Sequence, residues 1–253
     1  MKRNIVGAAL LAAAIVAPEI ANAQGQGLVR VRAGVASTDY SLKFDDSGGL
    51  AAYRGKTAKS SYTAKGVGLT FVSSGGFYAD ILGQTSGDAT HDLWKPSPDQ
   101  KFSRDDFTLT LGISFPSESG TLSAFGGLKS GTSELSAPPG FGFSVDKFES
   151  TGVFFGLGYG FPAAGGQIGL NGALAFMTGT WKDDAGFNNE ADYTFGFSFG
   201  LSYTYTFGRN FGVIADLKTQ RYSYDFAVYS TTTPAYTVTE QINSLGLNLF
   251  AQF

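Results

Sequence analysis

Cysteine is absent from this 253-residue chain, and histidine occurs once, as His91. Without cysteine no disulfide can brace an exported domain, so the fold must hold itself together by packing and pairing alone. Beyond residue 17 no apolar run is long enough for a membrane helix, which needs about 20 residues. If the chain sits in a membrane, strands must carry it there. The net charge is only −3, so there is no basic surface to argue for nucleic acid. Phosphate-cradling glycine loops are missing as well; Gly156, Gly158 and Gly160 alternate along one extended segment instead. On an inner strand face such glycines relieve crowding.

What is present is glycine and aromatics: 35 Gly, 23 Phe and 12 Tyr. Lys2 and Arg3, an apolar stretch from Ile5 to Ala17 and the small residues Ala21-Asn22-Ala23 form a secretory signal peptide, residues 1–23, with cleavage expected after Ala23. Residues 24–253 then form one β domain. Its clearest stretch is Tyr193 to Phe207. Every odd position there is bulky and apolar or aromatic, and every even one is Gly, Ser or Thr. A period of two specifies a strand, with one face fit for hydrocarbon and one for polar neighbours. A soluble sandwich strand also alternates. It gives no reason, however, for aromatics to recur at one end of every strand.

That recurrence is the organising pattern. Short turns at 73–76, 116–120, 162–166 and 208–210 alternate with longer loops at 45–60, 91–103, about 132–149, 182–191 and 225–239, and ten strands follow. Phe71, Phe77, Phe115, Phe161, Phe207, Phe211 and Phe253 flank the short-turn side as an aromatic girdle. Trp181, Tyr193 and Tyr222 are candidates for the opposite girdle. The expectation is an all-β, closed, antiparallel, up-and-down transmembrane β-barrel of ten strands, or of eight if one hairpin is wrongly divided.

The final segment, Leu245-Gly-Leu-Asn-Leu-Phe-Ala-Gln-Phe253, resembles the terminal strand of Gram-negative outer-membrane β-barrels of the porin-like, OmpA/OmpX-type group. In that superfamily the last Phe and the alternate apolar residues form the insertion signal, here Leu245, Leu247, Leu249 and Phe253. The resemblance implies a cell outer-membrane location. It also implies contact with lipid and lipopolysaccharide, periplasmic chaperones and the outer-membrane assembly machinery as partners, and a monomer.

Charges whose parity points inward are the candidate functional set: Arg30, Arg32, Asp80, Asp216 and Lys218. At membrane depth they must face protein or water. As one internal network they would act as the polar constriction of a narrow passive channel for small polar solutes or ions. The competing expectation is a salt-bridged plug in a non-conducting structural barrel. A further alternative is ligand or surface binding by outer loops that hold Trp94, Phe141, Phe143 and Tyr229. Enzyme-like barrels of the omptin or lipid-modifying type need a histidine with acidic or serine partners. His91 has Asp88 and Asp92 near it but lacks the Asp-x-His spacing, and the expectation is a solvated loop histidine with no catalytic residue. Asp183 to Glu190 lacks calcium-loop spacing and is expected to be a solvated acidic turn, so no metal or cofactor is expected.

Overall fold

The computed structural model describes residues 27–45, 52–192, 194–228 and 234–253. The expected signal peptide, residues 1–23, lies outside the described residues, as do Tyr193 and Tyr229.

The elements are β1 (Leu28–Phe44), β2 (Thr57–Val72), β3 (Phe77–Ser86), β4 (Ala89–His91), β5 (Gln100–Ser117), β6 (Gly120–Ser136), β7 (Val145–Ala163), β8 (Gly166–Asp183), β9 (Asn188–Glu190), β10 (Thr194–Phe207), β11 (Phe211–Phe226) and β12 (Tyr236–Gln252). Each of the ten long strands pairs antiparallel with its neighbours in chain order, and β12 closes on β1 from Arg30↔Gln252 to Phe44↔Val238. The pieces β4 and β9 belong to long loops and pair with β5 and β8. Closure leaves no open edge at the level of the belt, where each described strand pairs with both neighbours. A two-residue hairpin joins Ala163 to Gly166 through Ala164 and Gly165, both at positive φ. That geometry matches the twist of the strands it connects.

The long strands run 14–19 residues except for β3. A bilayer asks for only about 9–11. The surplus lies on the long-loop side and explains why β2, β7 and β12 begin earlier than expected. Along the wall strands that extend past the belt the outward face is apolar near the short turns and polar beyond, whereas β10 is apolar or aromatic outward over its whole length. On β1 the outward residues change from Val31, Ala33 and Val35 to Ser37, Asp39, Ser41 and Lys43. On β12 they change from Leu249, Leu247 and Leu245 to Asn243, Gln241 and Thr239. The inward face makes the opposite change. On β1 it is Arg30, Arg32 and Gly34 near the short turns, then buried Tyr40, Leu42 and Phe44. The parity never slips; the polarity of the two faces exchanges. Half the barrel is therefore lipid-facing outside with a polar inside. The other half is built like a soluble protein, wet outside and apolar within.

The short-turn girdle is present: Phe77, Phe115, Phe207, Phe211 and Phe253 are exposed on the outer wall. The opposite girdle is not where the pattern placed it. Trp181 and Tyr222 point inward and are buried. They lie at and above the exchange of polarity, where large rings belong to the interior core rather than to a lipid interface.

Candidate functional site: the barrel interior

Three layers fill the interior. Nearest the short turns, at the depth of the apolar belt, is a cavity of about 410 Å³. It reaches from the rim at Ser114, Gly160 and Gln167 to a floor at Lys129, Lys218 and Gln220. Small side chains make this space. A Cβ on Gly158 would stand 2.6 Å from the Ser123 hydroxyl, and one on Gly156 would stand 2.4 Å from the Phe125 ring.

The second layer is ionic and sits at the far edge of the belt. Arg104, on β5, is almost fully buried. Its Nε and Nη2 donate to Asp106 at 2.7 and 2.8 Å, and its Nη1 donates to Glu240 Oε1 at 2.6 Å. Nη1 also donates to Ser133 Oγ at 2.8 Å, and Tyr224 donates to the other oxygen of Glu240 at 3.0 Å. The guanidinium lies 4.9 Å from the Tyr40 ring. Lys129 Nζ donates to Gln220 Oε1 at 2.8 Å and stands 3.7 Å from Asp106 Oδ1. A buried charge survives only when paired and hydrogen-bonded, and this group meets both conditions. Across the floor a void of about 30 Å³ lies among Arg104, Asp106 and Tyr62, about the room one water needs.

The third layer is the apolar core of the outer half. Leu42, Leu135, Phe148, Met177, Trp181, Tyr224, Phe226 and Val238 are essentially inaccessible. Edge-on ring contacts join Phe44 to Trp181 at 5.1 Å and Phe148 to Tyr224 at 5.0 Å. Loop residues Tyr53, Leu93 and Trp94 cap it and are buried in turn. Trp94 is thus part of the core and not a free loop residue, while Phe141 packs on it at 4.6 Å and stays exposed.

The sequence-derived candidates face the interior, and among the described residues direct hydrogen bonds join Arg32 to Asp80 while the other three bond to neutral groups or stand apart. Arg32 pairs with Asp80 through two hydrogen bonds, at 2.6 and 2.8 Å, with Thr70 bridging the same carboxylate. Arg30 instead bonds to Gln252 and lies 4.3 Å from the Phe250 ring. Asp216 accepts from Asn248 at 3.0 Å. Lys218 stands apart at the cavity floor. The residues that tie the barrel across its width, Arg104, Asp106, Lys129 and Glu240, were missed. The signal was available: Arg104, Asp106 and Glu240 share the parity of Phe102, Val238 and Ile242. Arg104, Asp106 and Lys129 fall on the positions opposite the outward Phe107 and Leu128, and only Glu240 is obscured, because it follows the Thr- and Tyr-rich segment 225–239 that reads as loop.

His91 is not solvated. It is buried in the cap, with Nε2 3.0 Å from the Ser136 carbonyl and Nδ1 3.4 Å from the Leu93 amide. Burial holds its pKa below the usual imidazole range. In the same cap, Tyr53 donates to the buried Asp146 carboxylate, 2.9 Å from each oxygen. Burial first, and then the charges of Asp183 and Asp184, push Asp146 up to about 7, while the Tyr53 hydrogen bond opposes them. Asp183 accepts the Ala185 and Phe187 amides of its own turn, and Asp184 accepts the Ser144 amide of the neighbouring loop. Among the described residues no cluster of acidic or histidine side chains is arranged to hold a metal.

No protein-family model and no curated protein matches the chain. Solved structures do. It is similar to the outer membrane protease OmpT from Escherichia coli, with 10% identity over 91% of this chain and 97% of that one, at a TM-score of 0.63. It also matches the translocator domain of autotransporter NalP from Neisseria meningitidis, with 13% identity over 97% and 99% of the two chains, at 0.48. A third match is the Pseudomonas putida toluene transporter TodX, with 11% identity over 90% and 89%, at 0.39. The OmpT match shows a shared barrel fold and, at that identity, nothing about activity.

Proposed function

We propose that this chain, which has the outer-membrane β-barrel fold, is a closed, non-enzymatic wall protein of the Gram-negative cell envelope. On this reading it is exported by its N-terminal signal peptide and inserted with its short turns toward the periplasm. The apolar belt, the girdle of Phe rings and the terminal strand Leu245–Phe253 support the location. The observation that carries the function is the interior: a lumen open at the belt and stoppered outside it by an ionic layer and a packed aromatic core. An ion crossing would have to displace Arg104 from two carboxylates and then pass side chains packed as tightly as a soluble core. The burial of His91, with both ring nitrogens facing backbone groups rather than a carboxylate, supports the non-enzymatic reading.

The open inner half of the lumen favours one second reading, a narrow channel that conducts when the outer core moves. Planar-bilayer recording of the refolded protein tests both. The closed barrel predicts a silent bilayer while heat-modifiable gel migration shows folded protein. Reproducible unitary openings, altered by Arg32→Ala, would replace the wall protein with the channel.

A further inference from the structure

The cavity in the belt has the features of a binding site rather than of leftover space. It is blind, about 410 Å³ in volume, and its walls mix hydroxyls and amides, among them Thr108, Ser123, Asn171 and Ser202, with the apolar Phe125 and Phe154. Its floor carries two ammonium groups, Lys129 and Lys218. These two differ. Lys129 is held by Gln220 and Asp106. Lys218 has no carboxylate within 4 Å among the described residues. Of the nearby acids, Asp80 is paired with Arg32, and Asp106 and Glu240 with Arg104, while Asp216 accepts from the neutral Asn248 amide and forms no ion pair with Lys218 within 4 Å. Below the aromatic core the lumen holds five basic side chains, Arg30, Arg32, Arg104, Lys129 and Lys218, against four acids, Asp80, Asp106, Asp216 and Glu240. A surplus cation at the closed end of a polar recess, with low-dielectric walls around it, concentrates field on whatever enters.

We propose that this vestibule binds the oxyanion head, carboxylate or phosphate, of a small hydroxylated solute, with Lys218 as the principal contact and Lys129 beside it. The wall hydroxyls and amides would hold the rest of the molecule, since each can donate and accept. An ammonium does not distinguish the two heads as a planar guanidinium does, so the site is assigned to their shared chemistry. Access from the periplasm rests on the orientation proposed above; the binding itself does not.

The test is calorimetric titration of the folded protein in detergent with inorganic phosphate, gluconate and neutral glucose. Saturable binding of either anion, about tenfold or more weaker in Lys218→Gln, is the expected result, as for loss of one charge-assisted contact. Glucose is expected to bind at least about tenfold more weakly than gluconate if the charge leads. Ser202→Phe, which fills the recess without touching an ion pair, serves as the second variant and should abolish binding even if Lys218→Gln misfolds. Neither anion binding at about 10 mM would overturn the site, a concentration where even a 1 mM Kd nearly saturates. Binding that both variants leave unchanged would overturn it too. The outcome is independent of bilayer conductance, so a conducting barrel would not be mistaken for an empty vestibule.

Discussion

Arg104 shows how much one side chain can organise. It is buried, yet among the described residues it alone hydrogen-bonds both Asp106 on its own strand and Glu240 across the lumen. Removing a partner from such a pair costs more than forming the pair gains, because the remaining charge stays buried. Glu240→Ala is expected to lower unfolding stability by about 3–5 kcal/mol. Glu134→Ala is the contrast: Glu134 is half exposed and 3.9 Å from Lys147, a geometry where the loss stays below about 1 kcal/mol. Urea unfolding of both variants checks the pair, and equal effects would mean that the ionic layer is solvated. Asp146 adds a pH dependence at this same scale. Its ordinary value is 3.8 and its folded value about 7, so the folded state holds the proton more tightly than the unfolded chain does. Its contribution is complete below about pH 4 and is lost as pH rises through about 7. Asp146→Asn is expected to flatten the fall in the urea midpoint across that window while leaving the barrel closed. A slope that survives the substitution would place the titrating group elsewhere.

Strands were the most legible element, for a physical reason. Closed-barrel pairing fixes side-chain parity over the whole strand, so ten strands and four short turns can be counted from alternation alone. Less legible was the exchange of polarity partway along each wall. In Ser37-Thr-Asp-Tyr-Ser-Leu-Lys-Phe44 the apolar residues fall on the positions that face inward, the reverse of Val31-Arg-Ala-Gly-Val35. A reader looking for one lipid-facing phase meets this segment as a weakened strand or a loop. That is also why Trp181 and Tyr222 were assigned outward. Of the candidate charges, parity gave the direction but could not give partners, because the partners sit on strands remote in sequence. The belt edge can be located by substitution on β12. Leu247→Arg places a guanidinium on the exposed apolar face and should cost about 2–4 kcal/mol in lipid bilayers. Gln241→Arg, six residues earlier and outward in the polar half, should stay within about 0.5 kcal/mol. Comparable losses at both positions, measured by folding equilibria in vesicles, would move the edge outward past Gln241.

At the scale of the whole molecule the two halves differ in solvent but share every strand. The lipid-belted half gains from acyl contact and the outer half from an apolar core closed to water. Two such halves could melt separately if joined by a hinge, but the described ladders run unbroken from belt to outer core on β1, β2, β5, β6, β7, β8, β11 and β12. Losing the outer core would leave long unpaired edges above the bilayer, and the ionic layer that spans the join would lose its upper partner, Glu240. The barrel should therefore unfold as one unit. The chain carries its own reporter, because its two tryptophans, Trp94 and Trp181, are both buried in the outer half. Tryptophan fluorescence follows that half alone, while far-ultraviolet dichroism and gel mobility follow the wall as a whole. In urea the three signals are expected to give one midpoint, and Trp181→Phe should keep the transition single while shifting it toward lower urea. A fluorescence transition that precedes the loss of strand signal would mean that the outer core opens on its own. The closed barrel would then be a gated one, with the aromatic core as the moving part.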